Sequence, residues 1–141
     1  LGVTAENQET ADERMPILLQ IPAAKRFVSV EPMLGPVHLN QINTDSKAIT
    51  LNALTGTPYD WDYGEWMPED NIGAKIDWAI CGCESGPKRR PMSMEWASDL
   101  KNQCVDADVP FFFKQMENEG KVIKMPKLDG KIWGQRPEVN L

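Results

Sequence analysis

Short apolar runs, each followed by polar residues, recur along the chain. They lie at residues 1–3, Phe27–Val30, 76–81 and 109–113. The last run holds three successive phenylalanines, so adjacent positions on both faces of a strand are apolar. An antiparallel surface strand would alternate apolar and polar residues, whereas consecutive apolar residues are typical of a parallel strand covered on both faces. The pattern therefore predicts an α/β fold.

Two helices are predicted between these runs. Residues Gln8–Gln20 carry apolar side chains at helical spacing, and Thr10 with Glu13 resembles a capping box at their start. Pro16 should kink or split this helix. Ser93 is a suitable N-cap for a second amphipathic helix. The order β–α–β, long excursion, β–α–β predicts mainly parallel strands joined by crossover helices.

The excursion covers residues 36–75 and holds one predicted strand, at 48–54. Its second half, residues 57–75, has five carboxylates against one lysine and contains two tyrosines and two tryptophans. This is either an acidic insertion held to the body by its aromatic side chains or a lid over a site. Near the end, Asp129–Gly130 predicts the turn of a small hairpin within residues 117–141. We expect the whole chain to be one domain with this insertion and this C-terminal hairpin.

Composition and charge narrow the functional classes. The 15 Lys and Arg against 21 Asp and Glu give a net charge of −6, which argues against binding nucleic acid or an anionic membrane as the main function. A single histidine, His38, excludes a multi-histidine zinc site. The three cysteines are too few for a secreted disulfide framework, and neither a signal peptide nor a long apolar run is present. These features predict a cytoplasmic protein.

A charged residue follows each of the four predicted strands. These residues are Glu6, Glu31, Glu84 and Lys114. Because the carboxyl ends of parallel strands share one edge of a sheet, we expect the four side chains to converge there, and they are our candidate catalytic residues. Lys114 would supply the positive charge that neighbouring carboxylates require. The alternative is that polar residues stand there only because strands end at water.

The loop after the third strand suits an anion. Glu84, Ser85, Gly86 and Arg90 are the candidate cofactor-binding residues, and Arg89 or Arg90 is expected to meet an anionic group. The alternative is a solvated basic loop. The spacing matches neither a P-loop nor a dinucleotide-binding fingerprint.

The cysteines give only a weak metal signal. Cys81 and Cys83 lie on one side of a strand, but Cys104 falls on the apolar stripe of the second helix and is expected to pack in the core. We therefore predict no metal site. A Mg²⁺ or Mn²⁺ site built from the three glutamates at the strand ends is a chemically reasonable minority alternative.

Several long segments resemble the phage Gp-thirty-seven/Gp-sixty-eight family of uncharacterised proteins. The resemblance covers most of the chain outside the acidic excursion. Members of this family are similar to radical S-adenosylmethionine proteins, and their N-terminal half typically carries a cysteine cluster suited to a [4Fe–4S] centre. The resembling segments are residues 1–8, 11–19, 22–36, 84–92, 96–104, 109–115 and 126–133, with VEPMLGP at 30–36, ESGP at 84–87 and PFFFKQ at 110–115 among them.

The resemblance implies that this chain, which begins with Leu1, is the C-terminal half of such a protein. It would hold the later strands of a partial (β/α) TIM-like barrel, with the cluster cysteines upstream. Cys81 and Cys83 stand where the family has an aliphatic residue and a glycine, so they are not cluster ligands. Ser93 stands where many members have histidine, which puts any role of that histidine in doubt.

The resemblance also implies cofactors, partners and a location. S-adenosylmethionine and an iron–sulfur cluster would be cofactors of the full-length protein, and the missing N-terminal half would be the main partner. The protein would be phage- or prophage-encoded, in the cytoplasm of a bacterial host. The isolated fragment is expected to be inactive, and to oligomerise through uncovered surface or be partly disordered near Leu1 and the excursion.

Three functions follow as hypotheses. The first is the substrate- and cofactor-facing rim of a radical S-adenosylmethionine-like barrel. The second is a non-catalytic phage-encoded interaction module whose contact surface is the acidic excursion. The third is a carboxylate-metal hydrolase that uses the three strand-end glutamates.

Overall fold

The computed structural model describes residues 1–138 as a mixed α/β fold. Two α-helices and eleven short strands are present in this range, and a 3-10 turn lies at Glu69–Asn71. The helices are α1 (Gln8–Gln20) and α2 (Met94–Asp106), and the strands are β1 (Gly2–Thr4), β2 (Phe27–Val30), β3 (Ile42–Asn43), β4 (Ile49–Asn52), β5 (Thr57–Asp60), β6 (Glu65–Trp66), β7 (Trp78–Gly82), β8 (Phe111–Asn118), β9 (Lys121–Lys124), β10 (Lys127–Leu128) and β11 (Lys131–Ile132).

The main sheet has five strands in the order β1-β2-β7-β8-β9. The first four are parallel to one another, and β9 runs antiparallel to β8. Helix α1 joins β1 to β2 and α2 joins β7 to β8, which confirms the predicted crossovers and the α/β class. Within residues 1–138 the sheet is open and no closed barrel forms.

Both helices begin at a side-chain cap. Helix α1 starts after Asn7, whose Oδ1 accepts a hydrogen bond from the Thr10 amide at 3.0 Å while the Asn7 amide donates to Thr10 Oγ1. The capping box expected at Thr10 and Glu13 is therefore wrong by three positions, because Thr10 is its distal member. Pro16 lies inside α1 without ending it. Ser93 caps α2 as predicted, accepting from the Glu95 amide at 3.2 Å.

One face of the main sheet forms the core. Val28, Cys81, Phe111 and Phe113 on this face are fully buried in one apolar cluster with residues of both helices. Burying a side chain of this size contributes about 1.5–3 kcal/mol. The FFF run predicted a strand covered on both faces, but Phe112 on the opposite face is only half-buried. The core therefore covers one face of β8.

The opposite face, which we call the second face of the main sheet, is partly uncovered. It carries the half-buried side chains of Phe27, Trp78, Ile80 and Phe112. The Trp78 ring lies 6.0 Å from that of Phe27 and 6.2 Å from that of Phe112, between ring centroids. Arg136 places its guanidinium 5.5 Å from the centre of the Phe112 ring. The C-terminal segment therefore covers part of the second face.

Residues 36–75 contain a second, antiparallel sheet with the order β3-β4-β5-β6. Strand β4 confirms the strand predicted at 48–54, and the other three are additions to the prediction. Ile42 is fully buried in the core cluster, and Leu51, its partner on β4, packs against that cluster. We call this unit the small sheet, and one of its faces is thereby fixed to the body.

The C-terminal region holds two hairpins. The predicted turn at Asp129–Gly130 is confirmed between β10 and β11, with positive φ at both residues as a tight hairpin turn requires. Strand β8 continues to Asn118 and pairs with β9, a hairpin that the expected boundary at 117 missed. Residues 139–141 of the expected tail lie outside the described residues. Within residues 1–138, neither helix has the length and apolar character needed to cross a bilayer.

Candidate ligand-binding rim

A shallow cavity of about 390 Å³ lies at the carboxyl ends of β2 and β7 and beside the middle of β8. We call it the rim pocket. It brings together candidates that the sequence placed at the ends of separate strands, and it combines both signs of charge. Its lining residues are Ser29, Glu31, Pro32, Cys83, Glu84, Ser85, Arg90 and Lys114.

An ion pair joins the end of β2 to β8 in this pocket. The expectation that Lys114 follows the fourth strand is wrong, because β8 continues to Asn118 and Lys114 lies within it. Lys114 Nζ lies 3.0 Å from Glu31 Oε1, and the Glu31 side chain is 19% exposed while that of Lys114 is 45% exposed. The register between β7 and β8 shifts after Cys81, so that Lys114 falls in an irregularity between two paired positions. Such bulges redirect a side chain. The shift explains how Lys114 comes to face Glu31 across the intervening strand.

Gly82 makes room for this pair. A Cβ atom at residue 82 would lie 3.5 Å from the carboxyl carbon of Glu31 and 3.3 Å from Cγ of Gln115. A larger side chain would push directly against the carboxylate. The absence of a side chain at the end of β7 is therefore part of the site.

A second ion pair closes the other side of the pocket. Arg90 Nη2 lies 2.5 Å from Glu84 Oε1, and the Arg90 amide donates to Glu84 Oε2 at 2.7 Å. These hydrogen bonds lower the pKa of Glu84 to about 2, and the carboxylate in turn raises the pKa of Arg90. Both groups therefore stay charged at neutral pH. The Arg90 side chain is 60% exposed.

Glu6 stands apart from this arrangement. Its carboxylate pairs with Arg14 at 3.5 Å and does not line the rim pocket. The expected convergence of four strand-end residues is therefore reduced to three of them. Because Glu6, Glu31 and Glu84 each pair with a different cation, they do not form the oxygen cluster that the hydrolase hypothesis needs. Within residues 1–138, no group of three or more His, Cys, Asp or Glu side chains is placed to hold a metal ion.

Arg89 has a different position from Arg90. Its guanidinium donates to Glu117 at 2.7 Å and to the carbonyls of Gly86 and Gly120 at 2.6 and 2.7 Å. These bonds tie the loop after β7 to the β8–β9 hairpin. Of the two arginines, Arg90 is therefore the one that lines the rim pocket. Gly86 contributes a positive φ to the loop but, unlike Ser85, does not line the pocket.

Comparison with known proteins identifies the family. The sequence model of a family described as Protein of unknown function (DUF5131) matches residues 1–137. The chain belongs to the DUF5131 family. No curated protein and no solved structure matches it.

The cysteines of this DUF5131 chain do not fit an iron–sulfur cluster. All three are buried as free thiols. Burial raises the pKa of Cys81 and Cys83 and raises that of Cys104 to about 12, so the thiolate form that ligates iron is disfavoured at each position. Cys81 and Cys104 belong to the core cluster. Cys83 lines the rim pocket but stands alone there.

Three lining residues of the DUF5131 chain were not among the candidates: Cys83, described above, Ser29 and Pro32. Ser29 lies on β2, two residues before Glu31, which directly follows that strand, and side chains two apart in extended backbone point to the same side. That spacing is a signal from which Ser29 could have been predicted. Pro32 follows Glu31 through a cis peptide bond, for which the sequence offered no comparable signal.

Proposed function

We propose that the rim pocket binds a small molecule carrying both an ammonium and a carboxylate group, with S-adenosylmethionine as the leading candidate. In this proposal the chain supplies the substrate- and cofactor-facing rim of a radical S-adenosylmethionine-like barrel. The observation that carries it is the presence of two ion pairs, Glu31–Lys114 and Glu84–Arg90, in one cavity. The resemblance to the phage family supports the choice of ligand.

The charges of the pocket complement an amino-acid group. A ligand carboxylate would meet the guanidinium of Arg90, which offers several donors in a planar fork, and the ammonium of Lys114. A ligand ammonium would be accepted by Glu31, the less exposed of the two carboxylates. Binding of this kind exchanges the internal ion pairs for pairs with the ligand, so the charges need little additional desolvation.

S-adenosylmethionine, when bound next to a reduced iron–sulfur cluster, supplies a carbon-centred radical. Since the cysteines described above do not fit such a cluster, its ligands would belong to the proposed N-terminal half. The residues of this chain would orient the amino-acid end of the cofactor and exclude water from the rim. The fragment alone would then bind without catalysis.

The strand order supports a partial barrel. The four parallel strands β1-β2-β7-β8 lie side by side in the order in which they occur in the chain. This singly wound order is that of (β/α) barrels, whereas doubly wound sheets reverse at a switch point. Within residues 1–138, β1 has a partner on one side only. That edge and the second face of the main sheet are where the proposed N-terminal half would add.

Calorimetric titration of the chain with S-adenosylmethionine tests the proposal. Glu31→Gln and Lys114→Met should each weaken binding about tenfold or more, since each removes a charged hydrogen bond. Glu13→Gln, an equal change on the exposed side of α1, should leave the Kd within a factor of two. No measurable binding by the unchanged chain, or equal Kd values for all variants, would contradict the proposal.

The full-length protein offers the catalytic test. Anaerobic reconstitution should assemble an iron–sulfur cluster, and a reductant should then drive cleavage of S-adenosylmethionine. Failure to assemble a cluster would refute the radical chemistry. Binding at the rim pocket would remain separately testable by the titration.

One observation favours the interaction module as a second candidate. Trp61, Tyr63 and Trp66 in the acidic part of the excursion are 61%, 80% and 49% exposed. Replacing Asp62, Tyr63 and Glu65 together with alanine should abolish capture of a partner from host extract and leave the Tm nearly unchanged. A large drop in Tm would show that these residues serve packing instead.

A further inference from the structure

A second cavity, of about 290 Å³, lies on the outer face of the small sheet and shares no lining residue with the rim pocket. We call it the aromatic pocket, because three aromatic side chains line it: Tyr59, Trp61 and Trp66. We infer that the aromatic pocket binds a methylated ammonium group. The inference is independent of the function proposed for the rim.

The sheet register places these residues together. Thr50, Tyr59 and Trp66 are direct cross-strand partners on β4, β5 and β6, so they form one row across the sheet. Trp61 follows Tyr59 by two positions, which brings it to the same face. The opposite face carries Ile42 and Leu51, which pack against the core. The aromatic face is thus presented outward by a sheet whose other face is anchored.

The rings form walls at steep angles to one another. The Tyr59 ring lies 4.7 Å from that of Trp61 at an interplanar angle of 65°, and 5.1 Å from that of Trp66 at 78°. Trp61 is held in place by a 2.7 Å hydrogen bond from its Nε1 to Thr50 Oγ1. A single flat platform suits a planar ligand, whereas rings at steep angles can present π-electron density to a compact, rounded cation from more than one side.

The charge around the pocket favours a cation. Residues 57–75, which supply all three rings, hold five carboxylates and one lysine. Asp12 lies directly behind the lining, where its carboxylate accepts from Gln8 at 2.8 Å and from the Asn43 side chain at 2.9 Å. No Lys or Arg side chain lines the cavity in the described part of the chain. A phosphate or other anion would be repelled.

The lining also distinguishes among cations. Besides the three rings, the lining consists of five polar side chains and includes no Asp or Glu of the described residues. The five are Gln8, His38, Gln41, Asn43 and Thr50. A bare ammonium carries three N–H donors that require acceptors, best supplied by carboxylates in direct contact. A fully methylated ammonium has no N–H group that needs a hydrogen-bond acceptor. It is bound by the faces of aromatic rings and by the electrostatic attraction of nearby negative charge. The methylated form therefore fits this lining better.

Titration with choline, monitored by tryptophan fluorescence and by calorimetry, tests the inference on the whole chain. 3,3-Dimethyl-1-butanol, the uncharged analogue of equal shape, should bind at least tenfold more weakly. Trp61→Ala and Trp66→Ala should each raise the Kd for choline roughly three- to thirtyfold, and Trp61→Phe should restore part of the affinity. Tyr63→Ala is the matched control, because Tyr63 is an exposed aromatic of the same segment that does not line the pocket.

Two further titrations identify the kind of molecule that carries the methylated ammonium group. A short peptide with trimethyllysine binding more than tenfold tighter than choline would indicate a modified protein, and equal affinity would indicate a free small molecule. Raising the salt from 50 to 500 mM should weaken either interaction by screening the acidic field. Equal affinity for the uncharged analogue, binding of neutral sugars in place of choline, insensitivity to Trp61→Ala, or no binding at all would each overturn the inference.

Discussion

At the scale of single residues, the two ion pairs of the rim differ in their environment. Glu84 and Arg90 lie toward solvent and are joined by several hydrogen bonds, whereas Glu31 is the less exposed carboxylate and takes one contact from Lys114. Exposed ion pairs contribute little to stability because water screens them. The pairs are therefore better understood as a preformed set of charges than as a brace for the fold.

The pKa of Glu84 gives a pH-dependent prediction. Hydrogen bonds from Arg90 lower it from the ordinary 4.5 to about 2 in the folded chain. The stability gained from this pair is therefore fully present above pH 4.5 and is lost as the pH falls from 4.5 toward 2. Urea denaturation of the unchanged chain and of Glu84→Gln should show a difference in unfolding free energy that shrinks below pH 4.5. A difference independent of pH would contradict the assignment.

The rim could be predicted only in part from the sequence. The rule that parallel strands end at one edge led to Glu31, Glu84 and Lys114, and these three line one pocket. The rule could not indicate that Arg14 reaches the Glu6 carboxylate from α1, since that contact depends on packing between elements. Nor could it indicate which of the two adjacent arginines lines the rim pocket. Arg89 and Arg90 differ only in the partners that the tertiary fold offers them.

At the scale of elements, the extent of helix α1 was predictable from the sequence but its cap was not. Helix α1 spans the predicted residues because its apolar spacing is that of a helix, but its cap is Asn7. Asn7→Ala should therefore cost about 1 kcal/mol of unfolding free energy, since it leaves the Thr10 amide unpaired. Glu13→Ala, the partner expected from the sequence, should change it by less than about 0.5 kcal/mol. Chemical denaturation checks both. A larger loss of unfolding free energy for Glu13→Ala than for Asn7→Ala would favour a capping box formed by Thr10 and Glu13.

The strands of the small sheet were mostly not predictable. All four are only two to four residues long, and β5 includes a proline, so alternation of apolar and polar residues is too short to detect. Their pairing is set by turns and by contact with the body. Gly56 is one such turn residue, with φ of +77° and the carbonyl oxygen of Gly73 only 2.4 Å from where a Cβ would lie.

Gly56 and a second glycine, Gly64, allow a matched pair of substitutions. Gly64 also has positive φ, at +69°, but a Cβ there would meet no atom within 4 Å. Gly64→Ala should therefore cost about 1 kcal/mol for the backbone conformation alone. Gly56→Ala should cost at least about 1–2 kcal/mol more, because a neighbouring backbone must move. Thermal and urea denaturation measure both, and equal losses would show that the approach of Gly73 is not tight.

At the scale of the whole molecule, the second face of the main sheet is notable because its apolar side chains are only half-buried. Apolar surface left uncovered is a candidate interface, and β1 is an open edge within residues 1–138. Residues near Leu1 and in the excursion form regular strands. Self-association of the isolated chain stays a prediction.

Light scattering after size exclusion tests this expectation. The isolated chain should elute as an oligomer at micromolar concentration, and Ile80→Asp on the second face should shift it toward the monomer. Ile17→Asp, which alters an exposed apolar residue on α1, is the control and should leave the mass unchanged. A monomer with a cooperative melt would show that the second face needs no cover.

A nitrogen–proton correlation spectrum of the chain, recorded while S-adenosylmethionine is added, tests most directly whether the rim pocket is a ligand site. We expect saturable shifts at Glu31, Glu84, Arg90 and Lys114, and their loss in Lys114→Met. Shifts confined to residues outside the rim pocket, or no saturable shift at millimolar ligand, would contradict this expectation.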